Sequence, residues 1–213
     1  MIVYNDIEQG SDSWLRARSG LPTASEFSKL ITSTGAPSKQ MEAYAYTKAC
    51  EKFAGEPVDA FQGNAWTEAG KEDEAASREH YAFISGHDVS EVGFVTDGDL
   101  VDYKPVGVTC GCSPDSLVND DGLLELKRLK GSLLVEAHLY YKKNGTIKPA
   151  YVQQVQGQMM VCEREWVDVV FYNPVLPPLA IRVFPDKKVI AGLKAQIKIC
   201  NELRDKTLAE IGW

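Results

Sequence analysis

The 213-residue chain has no run approaching the ~18 consecutive apolar residues of a membrane-spanning helix. Its start, Met1-Ile2-Val3-Tyr4-Asn5-Asp6, has neither the basic opening nor the apolar stretch of a secretory leader. A cytoplasmic protein without a membrane partner is therefore expected. Cysteine is sparse and odd in number: Cys50, Cys110, Cys112, Cys162 and Cys200 read as reduced thiols rather than a disulfide framework. The three histidines (His80, His87, His138) lack metal-ligand spacing, which excludes a zinc-type centre built on them. No repeat, low-complexity tract or Pro/Gly/Ser-rich linker divides the chain, so residues 1–213 read as one domain. Basic residues are also in the minority, 23 against 30 acids, for a net charge of −7. Proteins that bind polyanions carry a basic excess somewhere, so a nucleic-acid partner requires the charge to be segregated.

What is present is ordinary for a globular chain: 44% hydrophobic and 25% charged residues, too apolar for a disordered one. Thr23 or Ser25 can cap a helix running to Ile31. Met41, Ala45, Ala49 and Phe53 recur every four residues and predict a helix from about Ser38 to Ala54. A third helix fits Trp66 to Ile84. Val89 to Thr96 and Val106 to Cys112 read as strands, and Ser116–Val118, a turn at Asn119-Asp120-Asp121-Gly122, and Leu123–Leu126 read as a hairpin. Pro149 opens a helix through Cys162, strands follow at Trp166–Tyr172 and Leu179–Phe184, and Val189–Ile211 closes the chain as an amphipathic helix. The class is α/β (α+β), with a mixed central sheet flanked by helices.

The chemistry concentrates in Ser113-Pro114-Asp115 and Glu125-Leu126-Lys127. Residues i and i+2 of a strand share a face, so Glu125 and Lys127 point the same way, and the hairpin brings Asp115 to the end of that face. Two carboxylates and an amine suit phosphodiester hydrolysis: hard oxygens hold Mg²⁺, and the lysine positions or deprotonates a water and offsets transition-state charge. The plainer alternative is a turn aspartate followed by the polar face of an exposed strand. Apolar Leu123, Leu124 and Leu126 argue for a partly buried strand, where charges need a partner or a metal.

Further elements extend the pattern along the chain: Gln9-Gly10 with Trp14, Arg18, Gly20 and Thr23-Ala24-Ser25; Gly70-Lys71 with Glu74; Cys112-Ser113-Pro114-Asp115; Glu125-Leu126-Lys127; and Tyr151 with Gln154 and Gln156. In this order they resemble the viral-type alkaline exonucleases (bacteriophage lambda exonuclease group, YqaJ-like recombinases) of the PD-(D/E)xK nuclease superfamily. The resemblance implies a restriction-endonuclease-like core and a Mg²⁺-dependent enzyme, with Mn²⁺ as a substitute. Such an enzyme digests one strand of linear duplex DNA 5′→3′, processively, as a ring-shaped homotrimer. Its 3′-ended strands pass to a single-strand annealing recombinase. By the same resemblance, Asp115, Glu125 and the Leu126 backbone carbonyl hold metal, Lys127 handles the water and Glu74 completes the catalytic set. Arg18, Ser25, Ser113 and Gln154 match positions gripping the 5′-phosphate, with Tyr151 nearby.

Residue by residue, plainer roles stay open. Arg18 also fits an ordinary surface arginine, although arginine is the natural bidentate phosphate ligand; Ser25 serves equally as a helix cap, and Glu74 sits in an acidic run, Glu72-Asp73-Glu74. Gln154 and Tyr151 also fit a packing stripe. Where many relatives carry Cys-Pro after the lysine, this chain has Arg128-Leu129-Lys130-Gly131. Cys110 and Cys112 read as buried thiols, since an iron–sulfur cluster takes four. An endonuclease of the same superfamily and a non-catalytic DNA-binding module are the competing functions. Six bases and one acid lie between Lys127 and Lys148, which leaves the remainder at −12 and points to one basic stripe for DNA.

Overall fold

The computed structural model describes residues 1–58 and 65–213, and the side chains of all of these except 65–73. The chain opens with β1 (Ile2–Tyr4), α1 (Asp12–Arg18), a 3-10 turn at Ala24–Lys29, α2 (Met41–Ala54) and α3 (Ala65–Ser85). Strands follow: β2 (Val89–Ser90), β3 (Phe94–Thr96), β4 (Leu100–Val101), β5 (Lys104–Pro105), β6 (Gly111–Cys112), β7 (Ser116–Val118) and β8 (Gly122–Arg128). After these come α4 (Gly131–Asn144), α5 (Pro149–Cys162), β9 (Trp166–Asn173), β10 (Leu176–Val183) and α6 (Lys187–Ile211). Among the described residues no helix is long and apolar enough to cross a membrane.

The main sheet has the order β10-β9-β8-β7-β2, with β8 and β9 parallel and the other pairs antiparallel. Parallel neighbours cannot be joined by a hairpin, and α4 with α5 supplies the crossover. Covered on both sides, β8 is buried from Gly122 to Leu126 and β9 from Trp166 to Tyr172. Alternation sorts their side chains. Leu123, Val167 and Val169 join the large core with Val155 and Met159 of α5 and Leu193 of α6, while Leu124, Leu126, Trp166 and Val170 pack with Tyr81 of α3. Glu125 and Lys127 thus lie on the α5 side. Helix α3 is fastened to the opposite side by the Tyr81 hydroxyl, which donates to Asp168 at 2.7 Å; Arg182 forks onto the same carboxylate at 2.8 and 2.7 Å.

Local chemistry sets several boundaries. Ser11 caps α1 by accepting from Trp14 N–H, with Asp12 in the first turn and Arg16 and Arg18 in the last, each matching the helix dipole. Pro149 occupies the first turn of α5, and Asp186 caps α6 by accepting from the Lys188 and Val189 amides.

Several expectations are corrected. Val89–Thr96 is not one strand: β2 pairs in the main sheet and β3 in a second one, β1-β3-β6. Between them Gly93 passes so near Ile7 that a Cβ there would stand 1.8 Å from the Ile7 carbonyl oxygen. Of Val106–Cys112 only Gly111–Cys112 is strand. The segment from Ala24 is a 3-10 turn rather than an α-helix, and neither hydroxyl caps it: Thr23 makes no side-chain cap bond, and Ser25 accepts from Arg18. Strand β1, the hairpin β4–β5, α1 and α4 carry no expectation above; in α4 the exposed Leu133, Val135 and Leu139 blur the periodicity. The Gly70-Lys71 side chains lie outside the described residues. The five cysteines are free; the Cys112 and Cys162 sulfurs are 3.4 Å apart within the core. The basic segment is spread along α4, whose 14 residues place about 20 Å between Lys130 and Lys142-Lys143.

Helix α5 approaches the 3-10 turn through Gly157, where a Cβ would lie 2.3 Å from the fully buried Phe27 ring. Gly157→Ala therefore trades about 1 kcal/mol of helix propensity for overpacking of about 1–3 kcal/mol. The expected outcome is a lower urea midpoint with an unchanged m-value; an unchanged or higher midpoint would show that Phe27 can give way.

Candidate active site

The β7–β8 pairing sets Ser116 opposite Leu124, so one step further Asp115 faces Glu125. Asp115 Oδ2 accepts from Leu126 N–H at 2.5 Å, which ties the end of one strand to the middle of the next. Lys127 Nζ lies 2.5 Å from Glu125 Oε1, as their shared face requires. Glu125 is only 2% exposed, and α5 completes its surroundings: Gln154 Nε2 donates to Oε1 at 2.6 Å and Gln158 Nε2 to Oε2 at 2.5 Å. The carboxylate is buried because a lysine and two amides replace the water it has lost.

Arg18 reaches the same place from α1. Its Nη2 donates to Thr23 Oγ1 and Ser25 Oγ, both at 3.0 Å, and its guanidinium lies 4.1 Å from the Trp14 ring centroid. Trp14 Nε1 in turn donates to Ser113 Oγ at 2.8 Å. Among the described residues Arg18 forms no ion pair and uses only one of its three nitrogens, so donors remain for an anion. Gln9 fixes the Ser113-Pro114-Asp115 turn by donating to the carbonyls of Val92 and Pro114 at 2.8 and 3.2 Å.

These groups line one cavity of about 190 Å³: Arg18, Ser25, Ser113, Asp115, Glu125, Lys127 and Gln154, with Gln9, Trp14 and Gln158 beside them. Larger cavities lie elsewhere; the apolar one between α3 and β9–β10 is lined, among the described residues, by no carboxylate, lysine or arginine. Glu74 and Tyr151 do not line this cavity. Glu74 stands at its edge on α3, near enough to act electrostatically on Asp115, and pairs with Arg78 at 3.0 Å. Tyr151 packs its ring against Phe171, centroids 5.1 Å apart, and interacts electrostatically with Lys127.

The charges are frustrated. Burial foremost, then Glu125 and Glu74, hold the Asp115 carboxyl well above its ordinary range. Burial likewise raises Glu74, with Glu125 and Glu91 adding to it and Arg78 opposing. Burial alone would depress Lys127, but Glu125 and Asp115 outweigh it and keep the ammonium above its usual value. Among the described residues no three of His, Cys, Asp or Glu close into a ready-made metal cluster.

Sequence reasoning left three supporting residues without roles: Gln158, Gln9 and Arg78. Gln158 shares a helix face with Gln154 at i+4, a spacing that is visible in the sequence, although its target Glu125 is not. For Arg78, which bonds across three separate chain segments, no sequence signal exists.

The family model of the YqaJ-like viral recombinase domain matches residues 13–165, a span that holds every candidate site residue. Among solved structures, the alkaline exonuclease LHK-Exo from Laribacter hongkongensis is similar at TM-score 0.77 and 27% identity, over 95% of this chain and 96% of that one. The same exonuclease in complex with dAMP gives TM-score 0.77 and 27% identity over 94% and 96%. A phage-related exonuclease from Haemophilus somnus 129PT, at TM-score 0.64 and 17% identity over 90% and 96%, shares the fold. No curated protein matches the chain. With the family model covering well over half its length, and a mixed sheet flanked by helices as in the alkaline exonuclease, the chain belongs to the YqaJ-like viral recombinase domain family.

Proposed function

We propose that the protein is a DNA exonuclease that uses Mg²⁺, or Mn²⁺ in its place, to digest one strand of linear duplex DNA 5′→3′. The 3′-ended strand left behind would serve a single-strand annealing recombinase, and a homotrimeric ring would give processivity. The observation that carries the reading is the joint lining of one small cavity by an acid–acid–lysine set and by an arginine with unused donors. One half suits hydrolysis of a phosphodiester, the other capture of a terminal phosphate. The similarity to alkaline exonucleases supports the same reading.

The residues fit a divalent cation. Glu74, Asp115 and Glu125 crowd together: burial first, then the neighbouring carboxylates, raises both Asp115 and Glu74. Beside them the carbonyl oxygen of buried Gln158 has no hydrogen-bond partner among the described residues. Surplus hard oxygens suit Mg²⁺. Asp115, Glu125 and the Leu126 carbonyl would hold it, with Glu74 at the edge. When bound, the ion stabilises charge on the scissile phosphate and lowers the pKa of an attacking water.

The chain's own groups do the rest. Arg18, with Ser25 and Ser113, receives the 5′-phosphate, and the Trp14 ring keeps the guanidinium flat and in place. Gln154 holds Glu125 oriented. Lys127, kept protonated by Glu125 and Asp115, orients the water and offsets charge developing on the phosphate. Once those carboxylates are neutralised, burial governs Lys127 and eases release of its proton.

Three outcomes follow. With Mg²⁺, the protein degrades linear duplex and spares covalently closed circles, and Lys127→Ala slows digestion roughly 10²–10⁴-fold while retaining DNA binding; cutting of closed circles on a gel would indicate an endonuclease instead. Duplexes ending in 5′-hydroxyl are digested more slowly than 5′-phosphorylated ones, and Arg18→Ala erases that difference; equal wild-type rates would remove the phosphate pocket. The third is thermodynamic. A carboxylate raised in the folded state contributes stability at pH below its unfolded value and loses it as pH climbs through the folded one. Without divalent metal, Asp115→Asn should therefore melt above wild type at pH 8 and close to it at pH 4, and Mg²⁺ should stabilise wild type alone; the opposite order would contradict the repulsion described above.

A further inference from the structure

Arg78 lies on α3, one turn after Glu74, with a side chain 16% exposed. Each of its three nitrogens has a different partner. Nη2 donates to Glu74 Oε1 at 3.0 Å, Nη1 to Glu91 Oε2 at 3.1 Å, and Nε to Ser116 Oγ at 3.0 Å. Ser116 is fully buried in β7, and its hydroxyl passes the contact on by donating to the Asp115 carbonyl at 2.6 Å. One guanidinium therefore connects the helix that carries Glu74 with the strand end that carries Asp115. Glu91, in the turn before Val92, whose carbonyl Gln9 binds, is the third anchor.

Such a connection matters because the groups it joins repel one another. Burial foremost, then Glu125 and Glu74, raises Asp115, and burial with Glu125 raises Glu74, so a carboxylate kept near two buried acids needs a fixed partner. A lysine could neutralise Glu74, but its single nitrogen cannot reach a hydroxyl and two carboxylates in a fixed plane. We propose that Arg78 is a positioning residue of the site: it fixes the spacing between Glu74 and Asp115, and so sets the protein's affinity for its divalent cation. This rests on the proposed hydrolytic role of the same carboxylates.

The sign of one measurement separates positioning from plain charge balance. Removing a cation from beside a metal site tightens metal binding by electrostatics alone, whereas losing the partners that orient metal-binding groups weakens it roughly 10–100-fold. Mn²⁺ affinity, read from the paramagnetic resonance signal of the free ion, is expected to fall by that roughly 10–100-fold in both Arg78→Ala and Arg78→Lys. Ser116→Ala, which removes only a hydroxyl, should weaken binding less. The Mg²⁺ concentration for half-maximal digestion should rise in step, with the rate at saturating Mg²⁺ recovering toward wild type. Should Arg78→Ala fail to fold, Ser116→Ala and Arg78→Lys carry the test. Wild-type or tighter Mn²⁺ binding in the arginine variants would overturn the inference. Because Mn²⁺ binding is read without hydrolysis, that failure is distinct from unimpaired digestion by Lys127→Ala, which would instead overturn the proposed function.

Discussion

The burial of Glu125 is the constraint around which the molecule is arranged. A carboxylate 2% exposed in the central strand must be compensated on every side, and the compensation comes from different parts of the chain. Lys127 arrives from two residues along β8, Gln154 and Gln158 from successive turns of α5. The parallel pairing of β8 with β9 forces α4 and α5 to cross over the sheet, and this crossover lays the two glutamines against the glutamate. Helix α5 can approach so closely because Gly157 admits Phe27, on the same turn that presents Ser25 to Arg18. Sheet order, helix packing and the cavity are thus one arrangement seen at three scales.

The parts of this arrangement legible in the sequence are those governed by local rules. Pro149 marks α5 to the residue, and the turn residues after Val118 mark the β7–β8 hairpin, although β8 starts at Gly122 and runs on to Arg128. A period of two puts Glu125 and Lys127 on one face. The coming together of Arg18, Ser113 and Asp115 rested on resemblance, since no periodicity relates positions 18 and 113. The errors have physical causes too. Val89–Thr96 has the composition of one strand, but its close approach to Ile7 at Gly93 divides it between two sheets. Helix α4 escapes notice because its exposed Leu133, Val135 and Leu139 leave no clean polar face. Arg78 is illegible for a simpler reason: its meaning lies in reaching residues 74, 91 and 116 together.

The two ends of the site handle charge in opposite ways. Around Asp115 and Glu125 acids are in excess, and burial, then Glu125 and Glu74, raises the Asp115 carboxyl, so the fold holds these groups together at a cost. Around Arg18 the excess is positive and unspent. Glu26, close by, is drawn down to about 2: burial would raise it, but Lys48 and Lys29 prevail, so it stays ionised while Arg18 has no ion pair among the described residues. A site that favours a cation at one end and an anion at the other fits a metal ion and a phosphate lying side by side, and each guest would relieve the field that disfavours it when alone.

The same reasoning bears on the net charge of −7. That total counted against a polyanionic substrate only so long as charge was taken as uniform. In the fold, Lys130 stands at one end of α4 and Lys142 and Lys143 at the other, while Lys127 is spent on Glu125 at 2.5 Å and Lys148 on Glu136 at 2.8 Å. A duplex touching both groups would pass about six base pairs between them, at about 3.4 Å each along the roughly 20 Å of α4. Two separated contacts orient a duplex where a single patch would only retain it, and the group nearer Lys127 adjoins the cavity. Acid elsewhere on the surface then works in the same direction, by leaving a DNA end few other places to settle.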